Sequence, residues 1–177
     1  MDIHEGLDNI LLILAHRLKA KPNCPVIQVI KEYGSLPQVL CYPGLLNQAF
    51  MNILTNAIDA LEDGNRPWVM SPGEESSNHQ SPITNYQSPK IQIRTEVLDG
   101  NQIMIRIADN GTGMTEEVKR RVFDPFFTTK PVGHGMGLGL SISYQIVVEK
   151  HGGQLQCLST PCQGTEFLIY IPNSQLV

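Results

Sequence analysis

No apolar run in this 177-residue chain approaches the roughly 20 residues that span a bilayer. No charged and apolar leader precedes the first periodic segment, so neither membrane insertion nor a secretion signal is expected. Dense runs of lysine or arginine are also absent. Thirteen basic residues against seventeen acidic ones leave a net charge of -4, which gives no support to a nucleic-acid partner. The four cysteines, Cys24, Cys41, Cys157 and Cys162, show no CxxC spacing. Thiolate metal binding is therefore disfavoured, and reduced thiols in a cytoplasm are expected. There is no internal repeat. What remains, at 41% hydrophobic and 17% charged residues, describes a globular chain long enough for one domain and short for two.

Leu7, Ile10, Leu11 and Leu14 recur at helical steps, which predicts an amphipathic helix over residues 5–18, ended by Pro22 and Pro25. Val26–Ile30 and Gln38–Tyr42 read as two short strands separated by Gly34 and Pro37. A long helix follows from Pro43 to about Leu61. Residues 63–89 turn to Asn, Ser, Gly, Gln and Pro, the texture of a long mobile loop within one domain. Lys90–Val97 and Gln102–Ile107 alternate with period two around Asp99-Gly100, a hairpin signal. A helix from Ser141 to Lys150, stopped by Gly152-Gly153, precedes a last strand pair at Gln154–Leu158 and Thr165–Tyr170. The expected fold is α+β: a two-layer α/β sandwich whose mixed, mostly antiparallel sheet is covered on one face by about three helices.

Two glycine-punctuated segments, Asp109-Asn-Gly-Thr-Gly-Met114 and Gly133-His-Gly-Met-Gly-Leu-Gly139, flank the aromatic and basic stretch Phe123-Asp-Pro-Phe-Phe-Thr-Thr-Lys130. Closely spaced glycines let the backbone approach a ligand and expose successive N–H donors to phosphate oxygens. Gly135, Gly137 and Gly139 come just before a helix start, which favours an anion there. No Gly-Lys-Ser/Thr follows, so this is not a Walker loop, and no parallel strand leads into it as a Rossmann fingerprint requires. Asp109 admits two readings: ordinary turn chemistry, or a carboxylate that accepts from the exocyclic amine of adenine. Residues 115–135 read as a lid, opened by a short helix capped by Thr115, with Phe123 and Phe126 packing on the core. Lys130 reads as a phosphate contact.

On the helix from Pro43, Leu46, Phe50, Ile53, Leu54, Ala57 and Leu61 share the core face, while Asn52, Asn56 and Asp59 fall at i, i+4 and i+7 on another. That second stripe is either a solvated face or a set of oxygens for a hydrated hard cation such as Mg²⁺.

Taken in order, these segments resemble the ATP-binding catalytic domain of the sensor histidine kinases, within the superfamily that also holds the gyrase, Hsp90 and MutL ATPases. Asn52-Ile-Leu-Thr-Asn56-Ala-Ile-Asp-Ala60 is similar to the N box, Asp109-Asn-Gly-Thr-Gly113 to the first G box, and Phe123-Asp-Pro-Phe-Phe127 to the F box. Gly135-Met-Gly-Leu-Gly139 is similar to the second G box, and Gly164-Thr165-Glu-Phe167 to the closing segment. The resemblance covers the chain except residues 63–89, a loop longer than the family usually carries.

The resemblance implies that Asn56 ligates Mg²⁺ with support from Asn52, and that Asp109 holds the adenine amine with Gly111, Gly113 and Thr165 around the base. Gly135, Gly137, Leu138, Gly139 and Leu140 would close over the phosphates. Many relatives carry a cation three residues after the second N-box Asn, whereas this chain has Asp59, so Lys130 is the expected source of that charge. His134 and Met136 also depart from the expected lid residues.

ATPase relatives carry a Glu four residues before the N-box Asn, where it activates water. Here that residue is Asn52, which cannot take a proton. A kinase needs no such base, because catalysis of phosphoryl transfer rests on positioning and charge neutralisation. His4-Glu5 matches only the first pair of the phosphoacceptor motif. The expectation is a cytoplasmic catalytic fragment, without its dimerisation and phosphoacceptor domain, that uses ATP and Mg²⁺. Its expected partners are that histidine domain, in a parent that is a homodimer, and a response regulator downstream. Two alternatives stand beside it: a stand-alone serine kinase of the anti-sigma type, disfavoured by the F box, and an ATP-binding regulatory module without transfer activity.

Overall fold

The computed structural model describes residues 1–22, 24–63, 88–98, 102–131 and 135–173. The expected loop lies outside them at residues 64–87, as do the Asp99-Gly100 turn and residues 132–134 with His134. Helices α1 (Ile3–Ile13) and α2 (Ala15–Leu18) are followed by strand β1 (Gln28–Tyr33) and the 20-residue helix α3 (Pro43–Glu62). Strands β2 (Lys90–Leu98) and β3 (Gln102–Asp109) precede a short helix α4 (Glu116–Arg121). Helix α5 (Gly139–Tyr144) runs directly into a π-helical segment, Gln145–Lys150, and strands β4 (Gln154–Thr160) and β5 (Gly164–Pro172) complete the described elements.

The sheet order is β1-β2-β3-β5-β4, with β1 and β2 parallel and every other neighbouring pair antiparallel. This is the mixed, mostly antiparallel α+β sandwich read from the sequence. Period-two alternation puts Ile103, Ile105 and Ile107 of β3 and Phe167, Ile169 and Ile171 of β5 on one buried face. Helix α3 lays its stripe of Leu46, Phe50, Ile53, Leu54, Ala57 and Leu61 into the same core, and α1 adds Ile3, Leu7 and Ile10. Tyr42 precedes Pro43, which opens α3 at the one helical position where a missing N–H costs nothing. Polar side chains hold the opposite sheet face: Arg106 pairs with Glu166 at 2.8 Å across β3 and β5.

Three local expectations are corrected. Residues 38–42 form no strand: among the described residues Val39 exchanges backbone hydrogen bonds only with Met1, which gives the segment no ladder there. The first helix is two helices, broken at Leu14, although α2 ends at Leu18 as expected. The Ser141–Lys150 helix is α-helical only to Tyr144 and widens into the π turn.

Candidate nucleotide-binding site

The first glycine segment sits where β3 ends. Asp109, its last residue, is 8% exposed, and its Oδ1 accepts the Gly111 N–H at 2.8 Å. That bond is the turn chemistry expected of Asp-Asn-Gly, and it turns the chain while holding the carboxylate in place. Asp109 is the direct cross-strand partner of Thr165 on β5, so two residues 56 positions apart stand side by side. The Thr165 hydroxyl lies 2.9 Å from Ser159 Oγ, and the Met114 N–H donates to the same Ser159 oxygen at 2.8 Å. Ser159, invisible to motif reading, therefore ties β4 to the first G box.

Two glycines make this junction possible. Gly113 has φ +66° and Gly164 φ +104°, both in the left-handed region that favours glycine. A methyl group at Gly113 would overlap the Thr160 carbonyl oxygen, and one at Gly164 would overlap that of Asp109. Gly111 packs against the end of α3, where an added Cβ would come within 2.8 Å of the Ala60 oxygen.

The polar stripe of α3 divides by function. Asn52 Nδ2 donates to the Gly139 carbonyl at 3.0 Å and lies 3.3 Å from Ser143 Oγ, which joins the N box to the second G box. Asn56 is half-buried, and its side chain has no hydrogen-bond partner among the described residues. Asp59 is an ion-pair hub: Arg17 Nη2 of α2 reaches its Oδ1 at 2.6 Å, and Lys130 Nζ pairs with its Oδ2. Arg17 also holds Glu62 at 2.7 Å. The Glu62 carboxyl is pushed up by burial, but hydrogen bonds from Arg17 and Lys21 outweigh this and leave it below the usual glutamate range. Lys130 thus brings its charge to the turn of α3 where Asp59 stands. Motif spacing gives no sign of Arg17, which lies 42 residues from Asp59.

Between these parts lies the F-box segment. Thr115 caps α4 as expected, its Oγ1 accepting from the Val118 N–H at 3.4 Å. Phe123 packs against Tyr144 and Phe167, with ring centroids 5.4 and 6.4 Å away. Phe126, expected in the core, is instead 75% exposed, because its left-handed backbone (φ 64°) turns the side chain outward while Phe123 takes the core position. Phe127 lies under the Arg121 guanidinium at 4.4 Å. Gly137, with φ +67°, presses on the Phe126–Phe127 backbone; a Cβ there would come within 2.6 Å of it. Gly135 faces Lys130 and Thr128, Leu138 caps α5, and Leu140 packs on the core. Met136 is 78% exposed.

Asn52 and Asn56 suit a divalent cation by the chemistry of their donors. Neutral amide carbonyls one helical turn apart match an ion that keeps several waters and shares phosphate oxygens. The half-buried Asn56 amide, free of protein partners among the described residues, fits such a role.

Residues 42–175 match the family model described as histidine kinase-, DNA gyrase B-, and HSP90-like ATPase. Sporulation kinase E of Bacillus subtilis is 33% identical over 159 residues, covering 89% of this chain and 18% of that protein. Sensor kinase CckA of Brucella abortus is 32% identical over 173 residues, 97% of this chain and 17% of that protein. The chain thus spans about a fifth of the length of the curated relatives it matches. Among solved structures, the catalytic domain of histidine kinase ThkA shares the fold with a TM-score of 0.72 at 24% identity, covering 98% of this chain and 93% of that one. ThkA has also been solved in complex with response regulator protein TrrA; that kinase chain matches with a TM-score of 0.68 at 22% identity over 98% of this chain and 41% of its own. The chain belongs to the family of histidine kinase-, DNA gyrase B- and HSP90-like ATPases.

Proposed function

We propose that this ATPase-family domain binds Mg-ATP and donates the γ-phosphoryl group to a histidine on a separate dimerisation domain, for onward signalling to a response regulator. The observation that carries the reading is Asn52. It occupies the place of the water-activating Glu, and its amide nitrogen is tied to Gly139. An amide cannot accept the proton of an attacking water, so the site lacks at this position the base that hydrolysis needs. Phosphoryl transfer to an imidazole needs a positioned donor and neutralised charge instead.

In this reading Asp109 accepts from the adenine amine, with Gly111, Gly113 and Thr165 forming the walls around the base. Gly135, Gly137, Leu138, Gly139 and Leu140 close over the phosphates. Asn56 and Asn52 hold Mg²⁺, which when bound neutralises phosphate charge, and Lys130 exchanges its Asp59 partner for a phosphate oxygen. The exposed side chains of Phe126 and Met136 adjoin the Gly137 contact and offer an apolar surface for the incoming dimerisation helices. Among the described residues no helix is long and apolar enough to cross a membrane, and the domain's place in the reading is cytoplasmic, where ATP is.

Incubating the chain with γ-labelled Mg-ATP and the two-helix dimerisation segment of its parent kinase tests the proposal. Acid-labile label on that segment's histidine is the expected result. Bound nucleotide with no label on the histidine overturns it and favours a regulatory ATP-binding module.

A further inference from the structure

Ser143 is the next-to-last residue of α5, completely buried, and no motif includes it. Its Oγ is 2.9 Å from the Gly139 carbonyl one turn earlier, the back-bond that a helical serine commonly makes. A hydroxyl has a single proton. With that proton given to Gly139, Ser143 presents only lone pairs to Asn52, whose Nδ2 stands 3.3 Å away and also donates to Gly139 O at 3.0 Å. Both acceptors on α5 therefore require the NH₂ side of the Asn52 amide. The opposite orientation would set the Asn52 carbonyl against the Gly139 carbonyl.

We infer that Ser143 is a positioning residue: with the Gly139 carbonyl it fixes the sense of the Asn52 amide, so that the nitrogen serves α5 and the carbonyl oxygen is left to a bound cation. The two acceptors stand 2.9 Å apart on the donor side of the amide and share it, and loss of Ser143 Oγ would leave the Gly139 carbonyl alone to hold the amide. The arrangement also ties the start of α5, which carries the second G box, to the N-box residue beside Asn56. Outer partners of this kind orient ligating groups and strongly influence metal affinity. The inference rests on the Mg-ATP reading given above.

The test is calorimetric titration of ATP into the chain, in Mg²⁺ and in EDTA, for the parent sequence, S143A, N52A and the double variant. S143A is expected to lose roughly tenfold in ATP affinity in Mg²⁺ and to stay within about twofold in EDTA. In the N52A background it is expected to cause no further Mg²⁺-dependent loss. An equal loss in both buffers, or no loss, overturns the positioning role, since a purely structural serine would affect both conditions alike. If N52A loses the Mg²⁺-dependent gain and S143A keeps it, only the Ser143 inference fails. If the parent chain shows no Mg²⁺-dependent gain, the metal reading of Asn52 fails and the inference falls with it.

Discussion

Arg17 Nη2 lies 2.6 Å from Asp59 Oδ1, and the other oxygen of the same carboxylate holds Lys130. Charges from α2, α3 and the segment after the F box thus meet one turn beyond Asn56. The pairing answers the question raised by an acid at residue 59, because Asp59 draws a cation to this turn from elsewhere in the chain. In the proposed function a phosphate would compete with Asp59 for Lys130. D59N is expected to tighten ATP binding by about 0.5–1 kcal/mol, the size of a partly exposed ion pair. K130Q is expected to weaken it by about 1–2 kcal/mol, as loss of a charge-assisted hydrogen bond requires. Calorimetric titration of both variants reads the two opposite signs.

The Glu62 carboxyl gives a pH dependence with a definite direction. Its folded value lies below its unfolded value, because Arg17 and Lys21 outweigh the effect of burial. It therefore contributes stability above the unfolded value of about 4.3, and that contribution is lost as pH falls through the lower, folded value. Chemical denaturation of the parent chain and E62Q is expected to show a stability gap near neutral pH that closes below about pH 4. A gap that stays constant to pH 3 contradicts the assignment.

Backbone geometry at the first G box predicts two very different glycine substitutions. G113A forces a left-handed residue and a methyl group against the Thr160 carbonyl, and is expected to cost about 2–4 kcal/mol. Gly44, near the start of α3, has nothing within 4 Å of an added Cβ. G44A is expected to be neutral or to stabilise by up to about 1 kcal/mol. Urea unfolding midpoints of the two variants check the contrast.

Thiol chemistry should discriminate among the cysteines. Burial pushes the Cys157 thiol up to about 12, so it stays protonated at pH 8, and Cys24 is buried, its thiol also raised by burial. Cys162 is exposed at the β4–β5 turn. Iodoacetamide at pH 8 followed by mass mapping is expected to modify Cys162 well before Cys157 and Cys24. Labelling of Cys157 at a comparable rate contradicts the burial.

Features with a local cause were legible in the sequence. The α3 stripe follows from helical periodicity and starts where Pro43 stands, and β2 and β3 follow from strict alternation. The glycines of the first G box point to a close backbone approach because only a few backbone conformations permit one. Features with a non-local cause were not legible. Gln38–Tyr42 has the composition of a strand, yet a strand exists only with a ladder partner, and among the described residues Val39 has only Met1. Phe126 is apolar enough for the core, but its left-handed backbone decides its direction. The parallel pairing of β1 with β2, the Arg17–Asp59 pair and the Ser143–Asn52 contact each join residues at least 42 positions apart, and no spacing rule connects them.

Asp109 offers the most direct test of the account, since the whole reading of the pocket starts from a buried carboxylate that selects adenine. Calorimetric titration of ATP and GTP into the parent chain and D109N in Mg²⁺ makes the measurement. One ATP per chain, much weaker binding of GTP, and a loss of about 1–3 kcal/mol for ATP in D109N are predicted. Equal binding of the two nucleotides, or an ATP affinity unchanged in D109N, would contradict it.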